Sequence, residues 1–212
     1  MFAEPDHGCG LCPRLKAFRD ANALSHPDWH NGPVRAFGDA DASLLIVGLA
    51  PGLKGANLTG RPFTGDYAGD LLYATLLEHD FAEGTYAKHR NDGLTLKNCR
   101  ITNAVRCVPP ENKPVGLETA TCNAFLKDEI DAMPGLRAIL SLGTLSHGAV
   151  LTALGLRKSA FKFGHEACHL TESGIALFNS YHCSRYNTNT GRLNAEMFSA
   201  VFLQIRAYLE DK

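Results

Sequence analysis

The sequence contains no apolar run long enough to cross a lipid bilayer, and its first ten residues, MFAEPDHGCG, lack the basic and then apolar order of a signal peptide. We therefore expect a cytoplasmic protein that does not bind membranes. The chain also lacks a surplus of positive charge, because 21 lysine and arginine residues stand against 22 acidic ones, for a net charge of −1. This balance argues against binding long polyanions through the overall field, so any nucleic-acid partner must be held by a local patch.

The bulk composition is typical of an ordinary soluble protein, with 45% hydrophobic and 20% charged residues. A chain of 212 residues most simply forms one compact domain, here 1–212, and is long enough to bury a sizeable core. Nothing in the sequence demands more than a monomer.

The strongest local feature is the glycine-rich stretch 48–66, GLAPGLKGANLTGRPFTGD. It follows the apolar run Leu44–Val47, whose length and β-branched content indicate a buried parallel strand. Ligands in open α/β sheets bind beyond the carboxyl ends of strands, and glycines let backbone N–H groups approach a substrate closely. The stretch contains neither GxxxxGK[ST] nor GxGxxG, which excludes those two kinds of phosphate-binding loop. Asp66 or Thr64 is well placed to cap the following helix, and capping is the more frequent role for an aspartate there.

Strands and helices alternate along the chain, which predicts an α/β fold, a three-layer α/β/α sandwich. Besides Leu44–Val47, we predict strands at Arg100–Arg106, Arg137–Leu142 and Gly174–Tyr181, giving a central four-stranded parallel sheet. The last of these strands leads into polar, helix-poor residues up to Gly191, which we predict to form a second functional loop.

Seven cysteines in such a chain indicate metal ligands or incidental thiols rather than disulfides. Cys9 and Cys12 form a C-x-x-C pair, and Cys107 and Cys122 stand fifteen positions apart far downstream. Four thiolates at one point suit either zinc or an iron–sulfur cluster. Buried free thiols explain the spacing about equally well, because cysteine is among the most buried residue types.

Basic and aromatic residues alternate in the segment 156–169, LRKSAFKFGHEACH. Side chains of these two kinds together could hold phosphates and bases. An irregular edge with a solvated charged face is at least as good an explanation of the same pattern.

Three stretches together resemble one family, the iron–sulfur uracil-DNA glycosylases: GLAPGLKGANLTGRPFTGD, TNAVRCVPPENKP and YHCSRYNTNTGRL. The likeness covers nearly the whole chain, in matching order and with the matching spacing of the last two cysteines. The TGRPFTGD and NTNTGRL pieces favour the type-5 branch over type 4, in which a Glu stands in place of Leu49. The fold of this family, a small parallel sheet sandwiched by helices, agrees with the architecture expected from the strand pattern.

The resemblance implies a monofunctional uracil-DNA glycosylase, a hydrolase that flips uracil out of DNA and removes it in base excision repair. Hypoxanthine and xanthine are further candidate bases. By resemblance, Asp66 stabilises the sugar cation or orients water, His182 donates to the uracil oxygen, and Asn103 reads the base edge. Phe63 stacks on the flipped base. On residue type alone, these side chains are more often a helix cap, a structural histidine, a buried amide and a core aromatic.

The resemblance also implies three larger sets of residues. Backbone groups line the pocket at Gly48, Leu49, Ala50, Pro51 and Gly52. Four residues of the second loop contact DNA: Ser184, Arg185, Tyr186 and Asn187. Of these, Arg185 and Tyr186 fill the gap left by the extruded base. Thiolates hold a structural [4Fe–4S] cluster at Cys9, Cys12, Cys107 and Cys122, which makes nearby Arg106 and Lys113 candidate phosphate contacts.

Two positions depart from the family pattern. The second loop usually has Pro where this chain has Cys183, which affects the rigidity of the loop and the placing of His182. The type-5 branch usually has Ala where Gly52 stands, and the missing methyl on the pocket floor bears on the range of bases accepted.

Two other classes of protein compete with the glycosylase. A non-catalytic, metal-stapled α/β module would bind damaged or single-stranded DNA and retain uracil-DNA without releasing base. A small-molecule hydrolase would act on free nucleosides, which suits the near-neutral charge but leaves the basic groups near Arg157 and Arg185 without a purpose.

Overall fold

The computed structural model describes residues 4–211 and contains a mixed five-stranded sheet with helices on both faces. The helices are α1 (Pro13–Ser25), α2 (Ala56–Thr59), α3 (Tyr67–Glu78), α4 (Gly116–Asp131), α5 (Thr144–Ala153), α6 (Arg185–Asn189) and α7 (Ala195–Glu210), with a 3-10 turn at Pro110–Asn112. The strands are β1 (Leu44–Gly48), β2 (Ala82–Glu83), β3 (Thr95–Leu96), β4 (Cys99–Asn103), β5 (Ala138–Leu142), β6 (Cys168–Leu170) and β7 (Ala176–Ser180). None of the helices within residues 4–211 is both long and apolar enough to span a bilayer.

The sheet has the strand order β4-β1-β5-β7-β6. The four predicted strands are all present and pair in parallel, which confirms the α/β class. The fifth strand, β6, pairs antiparallel to β7 at the edge and was not predicted. Its three residues are exposed or half-buried, so they carry none of the apolar signal that marks the buried strands.

Each central strand is buried on both faces, and alternate residues enter two separate cores. Leu44 and Ile46 pack in the core under α3 and α7. Leu45 and Val47 pack in the core under α4 and α5. The period-2 alternation of a strand therefore joins the three layers.

The register of the parallel strands brings their carboxyl ends to one edge of the sheet. Gly48 at the end of β1 is paired with Asn103 at the end of β4, and Leu142 at the end of β5 is paired with Ser180 at the end of β7. The glycine-rich loop after β1 and the polar loop after β7 therefore leave the sheet at the same edge.

Candidate active site

A cavity of about 380 Å³ opens at this carboxyl edge and is lined by both loops. Its size falls within the range of small-molecule sites, about 300–1,000 Å³. The side chains of Phe63, Asp66, Asn103 and His182 all line it, although they come from positions far apart in the sequence. The structure therefore brings the four predicted site side chains to a single cavity.

Asp66 is the N-cap of α3, as the sequence predicted, and its Oδ1 accepts a hydrogen bond of 3.1 Å from the Gly69 N–H. Burial raises the pKa of the Asp66 carboxyl above its ordinary value, and the hydrogen bonds from the Gly69 and Ala68 N–H groups only partly offset this. A helix N-terminus favours the ionised form of a carboxyl, but here desolvation has the larger effect on the pKa. Asp66 remains free to cap the helix through one oxygen and to face the cavity with the other.

Two glycines of the first loop leave room for the second oxygen of this carboxylate. A methyl group at Gly52 would lie 2.8 Å from Asp66 Oδ2, and one at Gly55 would overlap the same atom. Neither position can hold a side chain unless the carboxylate moves. The departure at Gly52 therefore bears first on the placing of Asp66 rather than on the base edge.

Asn103, the last residue of β4, is buried, and its side-chain amide has no hydrogen-bond partner within residues 4–211 although it lines the cavity. A buried amide normally satisfies the backbone around it, so a free one facing a cavity indicates a ligand. Gly48 does not line the cavity, contrary to the prediction. It lies behind Asn103 and Phe63, where any side chain would overlap both.

Phe63 adopts a left-handed backbone conformation with φ of 52°, which is costly for a bulky residue and typical of functional sites. Two tyrosines hold it in place: the Tyr73 hydroxyl donates to Pro62 O at 2.6 Å, and the Tyr86 hydroxyl donates to Phe63 O at 3.3 Å. Its ring centroid lies 6.0 Å from that of His182 with 27° between the planes. The structure thus fixes an aromatic face beside the imidazole.

Arg61, two residues earlier, does not line the cavity. It is buried and forms a bidentate ion pair with Asp92, at 2.7 Å for each hydrogen bond. Its guanidinium also lies 5.1 Å from the Phe37 ring centroid and 5.4 Å from that of Tyr73. Arg61 therefore shapes the turn that carries Phe63 and does not bind a ligand.

His182 follows β7 and is half-buried, and burial lowers the pKa of its imidazole to about 4. The ring is therefore neutral near pH 7, and neither ring nitrogen has a hydrogen-bond partner within residues 4–211. Its backbone is held by Asn187, whose Nδ2 donates to His182 O at 2.8 Å. A neutral imidazole in this state can donate one N–H to a ligand atom in the cavity.

The second loop is less irregular than predicted, because Arg185–Asn189 forms the short helix α6 with Ser184 as its N-cap. Ser184 and Arg185 line the cavity mouth, whereas the Tyr186 side chain projects outward and is 73% exposed. Cys183 is fully buried, and its thiol donates to Ala68 O at 3.4 Å. This bond ties the second loop to the first turn of α3 at the position where the family usually has Pro.

Four residues that line the cavity were not singled out from the sequence: Ala56, Tyr67, Ala68 and Asn112. Tyr67 is the most informative of them, since the Arg185 guanidinium lies 5.3 Å from its ring centroid and its hydroxyl accepts from Thr188 Oγ1 at 3.0 Å. It therefore links the two loops. Its position directly after Asp66 was the available signal, but the helical pattern predicted from Tyr67 to Asp80 makes it an ordinary helix residue.

The four patterned cysteines line one small cavity on another part of the chain, where α1 meets the segment after β4. Burial raises the pKa of the Cys107 thiol to about 12, and the other three thiols add to the shift. The Arg106 N–H donates to Cys122 Sγ at 3.3 Å. No His, Cys, Asp or Glu side chains within residues 4–211 are grouped three or more together closely enough to hold a single metal ion.

The prediction that Arg106 contacts phosphate is wrong. Its side chain is 1% exposed and forms an ion pair with the fully buried Glu129. Lys113 is exposed and forms an ion pair with Glu111 at 3.3 Å, and its contact with phosphate stays a prediction.

Comparisons with known proteins agree with this geometry. Residues 35–206 match the family described as the Uracil DNA glycosylase superfamily. The chain is 41% identical to the type-5 uracil-DNA glycosylase of Thermus thermophilus, over 97% of this chain and 95% of that protein. It is 36% identical to the type-5 uracil-DNA glycosylase of Pyrobaculum aerophilum, over 94% of this chain and 88% of that protein. Its identity to the type-4 uracil-DNA glycosylase of Sulfurisphaera tokodaii is 30%, over 76% of this chain and 69% of that protein. The chain therefore belongs to the uracil-DNA glycosylase superfamily, in its type-5 branch.

Proposed function

We propose that this protein removes uracil from DNA by hydrolysing the N-glycosidic bond, as the first step of base excision repair. One observation carries the proposal: one cavity of suitable size is lined by the carboxylate of Asp66, the amide of Asn103 and the neutral imidazole of His182. Within residues 4–211 the atoms of these groups that face the cavity have no hydrogen-bond partner. The names of the related proteins agree with this activity. The alternative of a non-catalytic binder requires neither the carboxylate nor the lowered imidazole pKa.

Asp66 and His182 would act on the two products of bond cleavage. Cleavage leaves the sugar with oxocarbenium character and the base with negative charge. An ionised Asp66 stabilises the sugar cation or orients the attacking water, and a neutral His182 donates a hydrogen bond to the uracil oxygen as charge develops there. Both groups are already partly desolvated, so their interactions are stronger than in water.

Asn103 and Phe63 would select and hold the base. One amide offers both a donor and an acceptor, which matches the O4 and N3–H of uracil. The fixed ring of Phe63 gives a stacking face, and Leu49, Ala50, Pro51 and Gly52 supply the wall of the pocket.

Ser184, Arg185 and Tyr186 would contact the DNA around the lesion. Ser184 and Arg185 stand at the mouth of the cavity, and Arg185 and the exposed ring of Tyr186 would fill the gap left by the flipped nucleotide. For Asn187 we propose a positioning role beside DNA contact, because its amide holds the His182 carbonyl.

We further propose that residues 1–212 form one domain, whose N-terminal segment is tied on by a [4Fe–4S] cluster at Cys9, Cys12, Cys107 and Cys122. Four thiols from three segments of the chain around one cavity, with a backbone N–H directed at one sulfur, suit such a group. In a cluster each thiolate binds a different iron, so the thiols need not converge on a single point as they do around zinc. When bound, the cluster would supply a covalent staple and no step of the reaction.

The cluster proposal predicts that the purified protein is brown and holds about four irons per chain. Cys107→Ser should lose iron and unfold at a lower temperature, measured by elemental analysis and thermal melting. Cys168→Ser is the matched control, because Cys168 is exposed on β6 and should leave the iron content unchanged. A colourless protein containing zinc and no iron would remove the proposal.

A base-release assay tests the proposed function. Oligonucleotides carrying uracil, hypoxanthine or xanthine, single- or double-stranded, are incubated with the protein and the abasic sites are cleaved with alkali. We expect strand cleavage for uracil, and cleavage for either purine would extend the substrate range as we propose. Retention of uracil-DNA without free base would favour the non-catalytic binder, and turnover of free deoxyuridine alone would favour a nucleoside hydrolase.

The pH dependence of the reaction should report Asp66 rather than His182. Catalysis needs Asp66 ionised, and its pKa is raised by burial, so activity should be lost as the pH falls through a value above the ordinary aspartate value of about 3.9. His182, with its pKa lowered to about 4, is neutral near pH 7 and stays neutral until the pH approaches that value. The measurement is kcat/KM against pH. An inflection near the ordinary histidine pKa of about 6.5 that disappears in His182→Ala would contradict this assignment.

A further inference from the structure

A second cavity of about 840 Å³ lies next to the active site on the same edge of the sheet. It is bounded by the N-terminal half of α4, by nearly the whole length of α5 and by residues 158–163. Two connections join it to the first cavity. Asn112 lines the active site and Gly116 the second cavity, while Gly143 packs against the Cβ of His182 and Thr144 lines the second cavity. The two cavities are therefore neighbours.

The charge of this second cavity is positive. Lys158 and Lys162 line it, and its lining within residues 4–211 contains no carboxylate. The Lys158 ammonium lies over Gly148 in the second turn of α5, 3.7 Å from the position a Cβ would take there. The cavity wall thus offers two lysine side chains and no carboxylate among its described lining residues, an arrangement that attracts phosphate.

These two lysines also differ from most others in the protein. Ion pairs with carboxylates occupy Lys16, Lys88, Lys97, Lys113 and Lys127. Within residues 4–211 the lysines that form none are Lys54, in the first loop, and the pair at the second cavity. The unpaired lysines thus gather at the edge of the sheet where the active site opens, although the net charge of the chain is −1.

Aromatic rings connect the end of β7, which carries His182, to the second cavity. Tyr181 directly precedes His182, and the Phe163 ring centroid lies 6.2 Å from that of Tyr181. Phe161 and Phe163 line the second cavity and are half-buried, so each presents part of a ring face. Rings interleaved with cations are the means by which proteins hold single-stranded nucleic acid.

We propose that the second cavity binds the DNA strand that carries the lesion, on one side of the flipped nucleotide, with Lys158 and Lys162 contacting its phosphates. The inference rests on the proposed glycosylase function and adds to it a second binding subsite. The strand is favoured over a free anion because the cavity adjoins the site that holds the flipped nucleotide and offers ring faces as well as cations. The segment 156–169 therefore acts in DNA binding and is more than a solvated edge.

The double variant Lys158→Gln/Lys162→Gln tests this subsite. We expect its affinity for an oligonucleotide containing a stable abasic-site analogue to fall roughly tenfold at low salt, with a salt slope smaller by about 1.4–1.8 than that of the wild type. Lys97→Gln/Lys127→Gln is the matched control. It removes the same charge from two paired lysines beyond the amino ends of the strands, and it should change neither value.

Trimming the oligonucleotide locates the contact. On one side of the lesion, shortening the strand to a few nucleotides should weaken wild-type binding to the level of the double variant and leave the double variant unaffected. Equal affinities of the two double variants for the oligonucleotide would overturn the subsite. So would a loss of affinity in Lys158→Gln/Lys162→Gln that adds in full to the loss caused by trimming, whichever side of the lesion is trimmed. The lysine changes could instead lower the affinity by the same factor at every strand length, and inorganic phosphate could lower wild-type affinity equally. That result would indicate a free-anion site and would also overturn the subsite. Absence of uracil release by the wild type would instead contradict the proposed function. The affinities of the two double variants would then still test whether the second cavity binds DNA.

Discussion

Replacing Asp66 by Asn is expected to lower kcat for uracil release by about 10²–10⁴-fold while the protein stays folded. The substitution separates the two roles that the structure gives this residue. Asn caps helices about as well as Asp does, so the hydrogen bond from Gly69 to the side chain should persist. Only the negative charge is lost, and with it the stabilisation of the developing sugar cation. Single-turnover release of uracil gives the rate, and thermal unfolding checks the fold.

Asn194→Ala is the control for the loss of a helix cap. Asn194 caps α7 by accepting from the Met197 N–H at 2.7 Å and does not line the cavity. Its replacement should cost about 1 kcal/mol of stability and leave kcat unchanged. If Asp66→Asn retained most of its activity, the carboxylate would be a cap alone and the proposed mechanism would fail.

Replacing His182 by Ala is expected to lower kcat by about 10²–10³-fold, the usual loss when one donor to a developing anion is removed. Because the charge on the base develops only in the transition state, kcat and kcat/KM should fall together while KM changes little. Steady-state kinetics on an oligonucleotide containing uracil measure both parameters.

His79→Ala provides the comparison, since His79 is buried but lies at the other end of α3, bonded to Ser199 Oγ at 2.7 Å. We expect that variant to lose stability and to keep kcat. A rise in KM alone for His182→Ala would assign the imidazole to ground-state binding of the base instead.

The sheet and the main site were predictable because their signals are local. Four apolar runs marked the buried strands, and parallel pairing then placed the loops that follow β1 and β7 at one edge. The motifs in those loops identify Asp66 and His182 from the sequence alone. What the motifs could not provide was the electrostatic state of each group, because burial in the folded chain sets both pKa shifts.

Features that depend on distant partners could not be predicted. Arg61 stands in the first motif as if it were a ligand-binding cation, but its partner Asp92 lies 31 residues away in a polar stretch without a motif. Arg106 was misassigned for the same reason, since its buried partner Glu129 belongs to α4. Helix α2, only four residues long, was hidden by the glycines around it. Short elements and buried ion pairs are set by tertiary packing rather than by the local pattern.

The central claim is that a desolvated carboxylate stabilises a sugar cation while an imidazole faces the departing base in the same cavity. The most direct test is the affinity for an oligonucleotide in which a cationic pyrrolidine replaces the lesion sugar, measured with free uracil present. The account predicts that the wild type binds this DNA at least about 10²-fold more tightly than the matching neutral abasic analogue, and that Asp66→Asn abolishes the preference. Equal affinity of the wild type for the two DNAs would contradict it.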